Sequence, residues 1–215
     1  MLNIIEGANF VGKTTTLDEM KKMTRTSLFV YHPRFNDAQT FEFVYNRKNN
    51  VGAVTPNLTH VHRDVVYQIS HMTCLKYLVS FKEKNIVMDR TFISEMVYNE
   101  YVNSQIYEEF TKVLKRDFDY TIFLLTCDND DELKRRITER LKADKNKGFG
   151  VRVGDLADPV TVEEKFQTQK LLTERYRSII NTHDLENVII DTSDIPQKMV
   201  AEQIMLAMKE KQDAK

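Results

Sequence analysis

The sequence has little of several features that would assign a protein to a class at once. Its two cysteines, Cys74 and Cys127, are too few for a disulfide framework or a cysteine metal cluster, so a reducing cytoplasm is the expected compartment. Lys+Arg number 31 and Asp+Glu 32, and this balance excludes a basic field for extended contact with nucleic acid or a membrane surface. No apolar run approaches the about 20 residues that span a bilayer, and the start lacks the basic segment of a secretion signal.

Glycine is also scarce, and its placement is informative. There are only six glycines among 215 residues. Gly7 and Gly12 lie near the start, and three more, Gly148, Gly150 and Gly154, lie close together later in the chain. Because glycine adopts backbone conformations that other residues avoid, these two groups mark the places where the backbone is unusual.

The rest of the composition is that of one globular domain, with 41% hydrophobic and 29% charged residues. Short apolar runs alternate with long helical patterns, which is typical of βαβ units with a parallel sheet. The predicted strands are 2–6, 27–31, 85–88, 120–125 and 187–190, and the predicted helices are 13–23, 58–83, 93–116, 131–143, 160–181 and 197–211. We therefore expect a single α/β domain over residues 1–215, with a five-stranded parallel sheet between two layers of helices.

The strongest motif is the segment from Gly7 to Thr14, which matches G-x-x-x-x-G-K-[ST] between a predicted strand and a predicted helix. Its glycines let backbone N–H groups converge on phosphate oxygens, and the helix N-terminus adds positive potential. Lys13 is expected to reach the β- and γ-phosphates, and the Thr14 hydroxyl to coordinate Mg²⁺. The motif predicts binding of ATP with Mg²⁺ by Gly7, Ala8, Asn9, Phe10, Val11, Gly12, Lys13, Thr14 and Thr15.

A second pair of candidates, Asp89 and Arg90, follows the third predicted strand. Parallel α/β sheets bind their ligands at the carboxyl ends of strands. Asp89 could hold Mg²⁺ through water or orient an attacking oxygen, and Arg90 could clamp a phosphate. An ordinary ion pair at a strand end would give the same dipeptide, so both interpretations remain open.

Together these segments resemble the thymidylate kinase family, within the P-loop nucleoside and nucleoside monophosphate kinases. The residues that carry the resemblance are Glu6-Gly7 before the loop, Asp89-Arg90-Thr91-Phe92-Ile93-Ser94 with Tyr98 and Asn99, and Phe166 with Tyr176. The resemblance implies a P-loop kinase fold and phosphoryl transfer from ATP·Mg²⁺ to a deoxynucleoside monophosphate. It also implies a small-molecule nucleotide partner and a homodimer.

The departures from the family pattern fall on the acceptor side. Asn9 replaces an aspartate that the family places near the acceptor sugar, Gln68 replaces a helix arginine, and Thr91 replaces an aromatic residue. The family's Arg-Glu-Pro after the second strand is absent, and Arg34 is the candidate there for the acceptor phosphate. The candidate acceptor-binding residues are Asn9, Arg34, Phe35, Gln68, Arg90 and Tyr98, with Gln68 for the base edge and Phe35 or Tyr98, among others, for stacking.

A basic segment follows the fourth predicted strand. Residues 134–152 contain eight basic and two acidic side chains, on an amphipathic helical pattern that runs into the three later glycines. We expect a lid over about 134–158 that closes arginines onto the transferring phosphates. The candidates are Arg136, Arg140 and Arg152, although a solvated basic helix followed by a surface loop would give the same pattern.

Three functions fit these motifs. The first is a kinase for dTMP or a modified pyrimidine deoxynucleoside monophosphate. The second is a deoxynucleoside kinase, which would need a carboxylate base for the neutral 5′-hydroxyl; residues 31–36 contain none, and Asp37 is the nearest. The third is a nucleotide-binding module without small-molecule turnover, or a kinase for nucleic-acid ends.

Overall fold

The computed structural model describes residues 1–23, 29–31, 86–98, 104–146 and 162–213. Strands and helices alternate along them, as predicted. The strands are β1 (Leu2–Glu6), β2 (Phe29–Tyr31), β3 (Ile86–Asp89), β4 (Tyr120–Thr126) and β5 (Asn187–Asp191). The helices in these ranges are α1 (Lys13–Met23), α2 (Phe92–Tyr98), α3 (Ser104–Asp117), α4 (Asp130–Asn146), α5 (Val162–Thr182) and α6 (Gln197–Asp213). No helix in the described ranges is long and apolar enough to cross a membrane.

The sheet has the strand order β2-β3-β1-β4-β5. β2 pairs in parallel with β3, where Val30 lies opposite Val87, and β4 pairs in parallel with β5, where Leu124 lies opposite Ile189. All residues of β1 and β4 are buried, as expected from the apolar runs Ile4–Ile5 and Ile122–Leu125 within them. The predicted α/β class with a parallel sheet is confirmed.

The chain divides into two compact units, and the first comprises Met1–Ile4 and Leu28–Thr121. In its described part, the rings of Phe92 and Phe110 stack at 5.4 Å between centroids, and Tyr107 packs beside both. These three side chains are almost fully buried. They join α2 to α3 through an apolar contact.

The second unit comprises Ile5–Ser27 and Ile122–Lys215. Helices α1 and α6 pack against each other there. Leu17 and Met20 of α1 are fully buried, as are Val200 and Ile204 of α6. Each unit has its own apolar core, and the expectation of one domain over 1–215 stays a prediction.

Most predicted bounds agree with the structure to within about three residues, and the differences have local causes. Helix α4 begins one residue earlier than predicted because the Asn129 side chain accepts hydrogen bonds from the backbone N–H groups of Asp131 and Glu132. The predicted helix over 93–116 corresponds to α2 and α3. The predicted helix over 58–83 lies outside the described residues.

Candidate phosphate-binding site

The loop between β1 and α1 has positive φ angles at both of its glycines, as expected for glycine in an unusual backbone conformation. Gly7, Phe10 and Gly12 have φ angles of 139°, 67° and 90°. A Cβ atom on Gly7 would lie 2.3 Å from the carbonyl oxygen of Leu125 in β4. Glycine is therefore required there for space as well as for conformation. The left-handed conformation of Phe10, a residue with a bulky side chain, is a strained feature of the kind found at functional sites.

Lys13 is held inside this loop. Its ammonium group donates hydrogen bonds to the carbonyl oxygens of Gly7, at 2.7 Å, and of Ala8, at 2.5 Å, and the residue is only 7% exposed. Two carbonyls compensate part of the cost of burying the charge. The loop thus carries a fixed positive charge at the start of α1.

The N-terminus of α1 adds donors to that charge. The first backbone bond of the helix runs from Thr16 N–H to Gly12 O, at 2.9 Å. The N–H groups of the first turn have no carbonyl partner within a helix, and they favour an anion. Thr14 and Thr15, both exposed, lie in this turn. The arrangement suits the phosphates of a nucleotide, as the motif predicts.

Three side chains from distant parts of the second unit bind this loop and the first turn of α1. The N–H of Asn9 donates to the side-chain oxygen of Gln169 in α5, at 2.9 Å. The Thr16 hydroxyl donates to the side-chain oxygen of Gln197, the first residue of α6, at 2.7 Å. The Thr192 hydroxyl lies 3.1 Å from the carbonyl oxygen of Val11. Sequence reasoning missed Gln169, Gln197 and Thr192, because each is more than 150 residues from its partner and belongs to no motif.

Asp89 and Arg90 lie at the carboxyl end of β3, in the first unit, as predicted. Arg90 has a φ angle of 73°, donates to the Ser94 hydroxyl at 3.1 Å, and lies 5.2 Å from the centre of the Tyr98 ring. These contacts fix the direction of its guanidinium group. Thr91, one of the departures from the family pattern, accepts a hydrogen bond from the N–H of Ile93 and so caps α2.

Arg136 and Arg140, the two described lid candidates, have different surroundings on α4. Arg136 donates from Nε to Glu132 at 2.7 Å, and from Nη1 and Nη2 to the hydroxyl and carbonyl oxygens of Thr192 at 2.9 and 2.5 Å. The pKa of Glu132 is lowered to about 2. The largest cause is the hydrogen bond from Arg135, the hydrogen bond from Arg136 acts in the same direction, and burial acts in the opposite direction. Arg140 is exposed. The catalytic role predicted for each stays a prediction.

The other candidates are only partly covered by the structure. Arg34, Phe35, Gln68 and Arg152 lie outside the described residues, as does the glycine-rich part of the predicted lid. Tyr98 is 40% exposed and contacts Arg90, and Asn9 is exposed. The stacking and sugar-binding roles predicted for these two residues stay predictions.

No protein-family model and no curated protein sequence matches the chain. Solved structures do match it. One is YorR from Bacillus subtilis, in complex with phosphorylated GDP, with a TM-score of 0.58 at 14% identity over 99% of this chain and 98% of that one. Another is deoxyadenosine kinase from M. mycoides, with the products dCMP and a flexible dCDP bound, with a TM-score of 0.51 at 15% identity over 98% and 100% of the two chains. The chain therefore shares the α/β fold of these proteins, and the resemblance to thymidylate kinases in particular stays a prediction.

Proposed function

We propose that this protein transfers the γ-phosphoryl group of ATP to a deoxynucleoside monophosphate, with dTMP or a modified pyrimidine analogue as the preferred acceptor. The observation that carries the proposal is the phosphate-binding loop, residues 7–14, with three positive φ angles and the buried Lys13. The fold adds support, since one neighbour is a deoxyadenosine kinase and the other was solved with phosphorylated GDP.

On the donor side, the chain would bind the phosphates through Lys13 and the N–H groups of the loop and of the first turn of α1. Mg²⁺, when bound with the nucleotide, would neutralise charge on the β- and γ-phosphates. The two ligands that the sequence predicts for it are the hydroxyl of Thr14, which is exposed in the first turn of α1, and the carboxylate of Asp89, the last residue of β3. The hard oxygen donors of both residues fit Mg²⁺.

On the acceptor side, the oxygen of a monophosphate is already anionic, so no strong general base is needed. Alignment and charge neutralisation would then supply most of the catalysis. We assign the neutralisation of the negative charge on the phosphates to Lys13, Arg90, Arg140 and Arg152. Arg34, in a stretch without a glutamate, favours a monophosphate over a nucleoside.

The second candidate is a deoxynucleoside kinase. The M. mycoides neighbour favours it, because that deoxyadenosine kinase holds the product dCMP, a phosphorylated nucleoside. A neutral 5′-hydroxyl would gain from a carboxylate base, and Asp37 or Asp89 is the candidate.

A coupled ADP-release assay with ATP and Mg²⁺ distinguishes the two. The acceptors are dTMP, dUMP, 5-hydroxymethyl-dUMP, dCMP, dAMP and dGMP, with thymidine and deoxycytidine as unphosphorylated controls. Turnover confined to a pyrimidine monophosphate is expected. Turnover on the nucleosides would replace the first candidate with the second, and a protein that binds ATP but phosphorylates none of them would contradict both.

A further inference from the structure

Thr192 links the end of the sheet to the phosphate-binding loop. It follows β5 directly and is fully buried. Its N–H donates to the carbonyl oxygen of Thr126, at 2.9 Å. Its hydroxyl oxygen lies 2.7 Å from that same carbonyl and 3.1 Å from the carbonyl oxygen of Val11. The hydroxyl has one proton, so one of these two carbonyls receives it at a time.

Arg136 donates hydrogen bonds to both oxygen atoms of Thr192. Its Nη1 donates to the Thr192 hydroxyl oxygen, and its Nη2 to the Thr192 carbonyl oxygen. Because the hydroxyl accepts from Arg136 on one side, its own proton is directed away from the guanidinium, towards the two carbonyls. Glu132 accepts from Nε and holds the guanidinium in place, and the Arg136 side chain is only 15% exposed.

The Val11 carbonyl belongs to the same peptide unit as the N–H of Gly12. In a trans peptide these two groups point in opposite directions. When the Thr192 hydroxyl donates to the Val11 carbonyl, the N–H of Gly12 is therefore held pointing away from Thr192. Backbone N–H groups at this part of the loop are the ones expected to bind phosphate oxygens. The flexible backbone of Gly12, with φ at 90°, makes the orientation of this peptide dependent on such a contact.

We propose that Arg136 is a positioning residue that acts through Thr192 on the Val11–Gly12 peptide, and so prepares the loop for the polyphosphate chain of its ligand. This role differs from direct contact with the transferring phosphate. The proposal rests on the proposed function, because it concerns the same phosphate site, and it assigns two residues of that site a role in donor affinity.

The test is a double-mutant cycle in the full chain, with Arg136→Met, Thr192→Val and the double variant. The dissociation constants of ATP and of inorganic tripolyphosphate are measured by calorimetry. Each single variant is expected to weaken both ligands about tenfold, the scale of losing one partner of a buried hydrogen bond. Because both act through one peptide, the double variant is expected to be no weaker than either single variant.

Two matched controls accompany the cycle. Thr192→Ser keeps the hydroxyl, and Arg135→Met removes the adjacent cation, whose hydrogen bonds go to Glu132 and Glu139. Thr192→Ser is expected to rescue the affinity that Thr192→Val loses, and Arg135→Met is expected to leave the affinity of both ligands unchanged. Arg136→Lys keeps the positive charge but cannot donate to both oxygen atoms of Thr192 in the same geometry, so its ligand affinities should resemble those of Arg136→Met. If Thr192→Val does not fold, judged by thermal unfolding, Arg136→Lys and Thr192→Ser still test the geometry.

The proposal is overturned if Arg136→Met lowers only turnover and leaves tripolyphosphate affinity unchanged, since that result marks direct contact with the transferring group. Additive losses in the double variant, or full affinity in Arg136→Lys, also overturn it. A wild-type protein that binds both ligands but transfers no phosphoryl group would contradict the proposed function alone. A wild-type protein that binds neither would contradict both proposals.

Discussion

Replacement of Gly7 by alanine tests the architecture of the loop most severely. The new Cβ atom would lie 2.3 Å from the Leu125 carbonyl oxygen, about 1 Å closer than ordinary van der Waals contact. Leu125 is fully buried in β4 and paired with Ile190 of β5, so the obstacle is backbone that cannot rotate away.

Two costs add up in Gly7→Ala. A residue with a side chain at a φ angle of 139° costs about 1 to 3 kcal/mol. Forcing extra volume into a packed interior costs about 1 to 3 kcal/mol more. We therefore expect a loss of about 2 to 6 kcal/mol in the free energy of unfolding, a large share of the total for a domain of this kind. Urea denaturation measures it, with ATP affinity recorded on the same samples.

Gly12→Ala is the informative comparison. Its Cβ would lie 2.5 Å from the end of the Gln197 side chain, which can be removed by mutation. In a Gln197→Ala background, Gly12→Ala should lose much of its steric cost and keep only the backbone strain. The same background should not relieve Gly7→Ala. A Gly7→Ala protein with wild-type stability and wild-type ATP affinity would refute this reasoning.

Two further predictions concern stability. The Thr126 hydroxyl is buried and has no hydrogen-bond partner among the described residues, so Thr126→Val should raise the free energy of unfolding by about 1 kcal/mol in urea denaturation; a loss of stability would contradict this. The pKa of Glu132 is lowered from 4.5 to about 2, so its charged form adds stability that is fully present above about pH 4.5 and is lost as the pH falls towards 2. The difference in unfolding free energy between the wild type and Glu132→Gln should therefore shrink from pH 5 to pH 2.5, and a constant difference would be evidence against the ion pairs.

The backbone of the loop over residues 7–14 could be predicted because all of its determinants lie within one continuous segment. Glycines, lysine and threonine at fixed spacing specify both the backbone and the charge, and the flanking periodicity places the strand and the helix. The bounds of α1 agree with the prediction for the same reason. The α/β class followed from the alternation of apolar runs and helical patterns.

The supports of the loop could not be predicted, because they depend on tertiary contacts. Gln169, Thr192 and Gln197 have no local signature, and only the fold brings them to the loop. Arg136 illustrates the same limit. A run of basic residues indicated a lid. In the structure, the guanidinium group of Arg136 donates hydrogen bonds to Thr192, which lies 56 residues further along the chain.

The most direct test of the central claim is the turnover of Lys13→Ala compared with Lys21→Ala. Lys21 lies on the same helix, is exposed and pairs with Asp18, so it controls for the loss of a lysine from α1. Phosphoryl transfer from ATP to the best acceptor is expected to fall at least about 100-fold in Lys13→Ala, the scale of removing a preorganised charge, and to stay near wild type in Lys21→Ala. Near wild-type turnover in a folded Lys13→Ala protein would contradict the assignment of the loop as the phosphoryl-donor site.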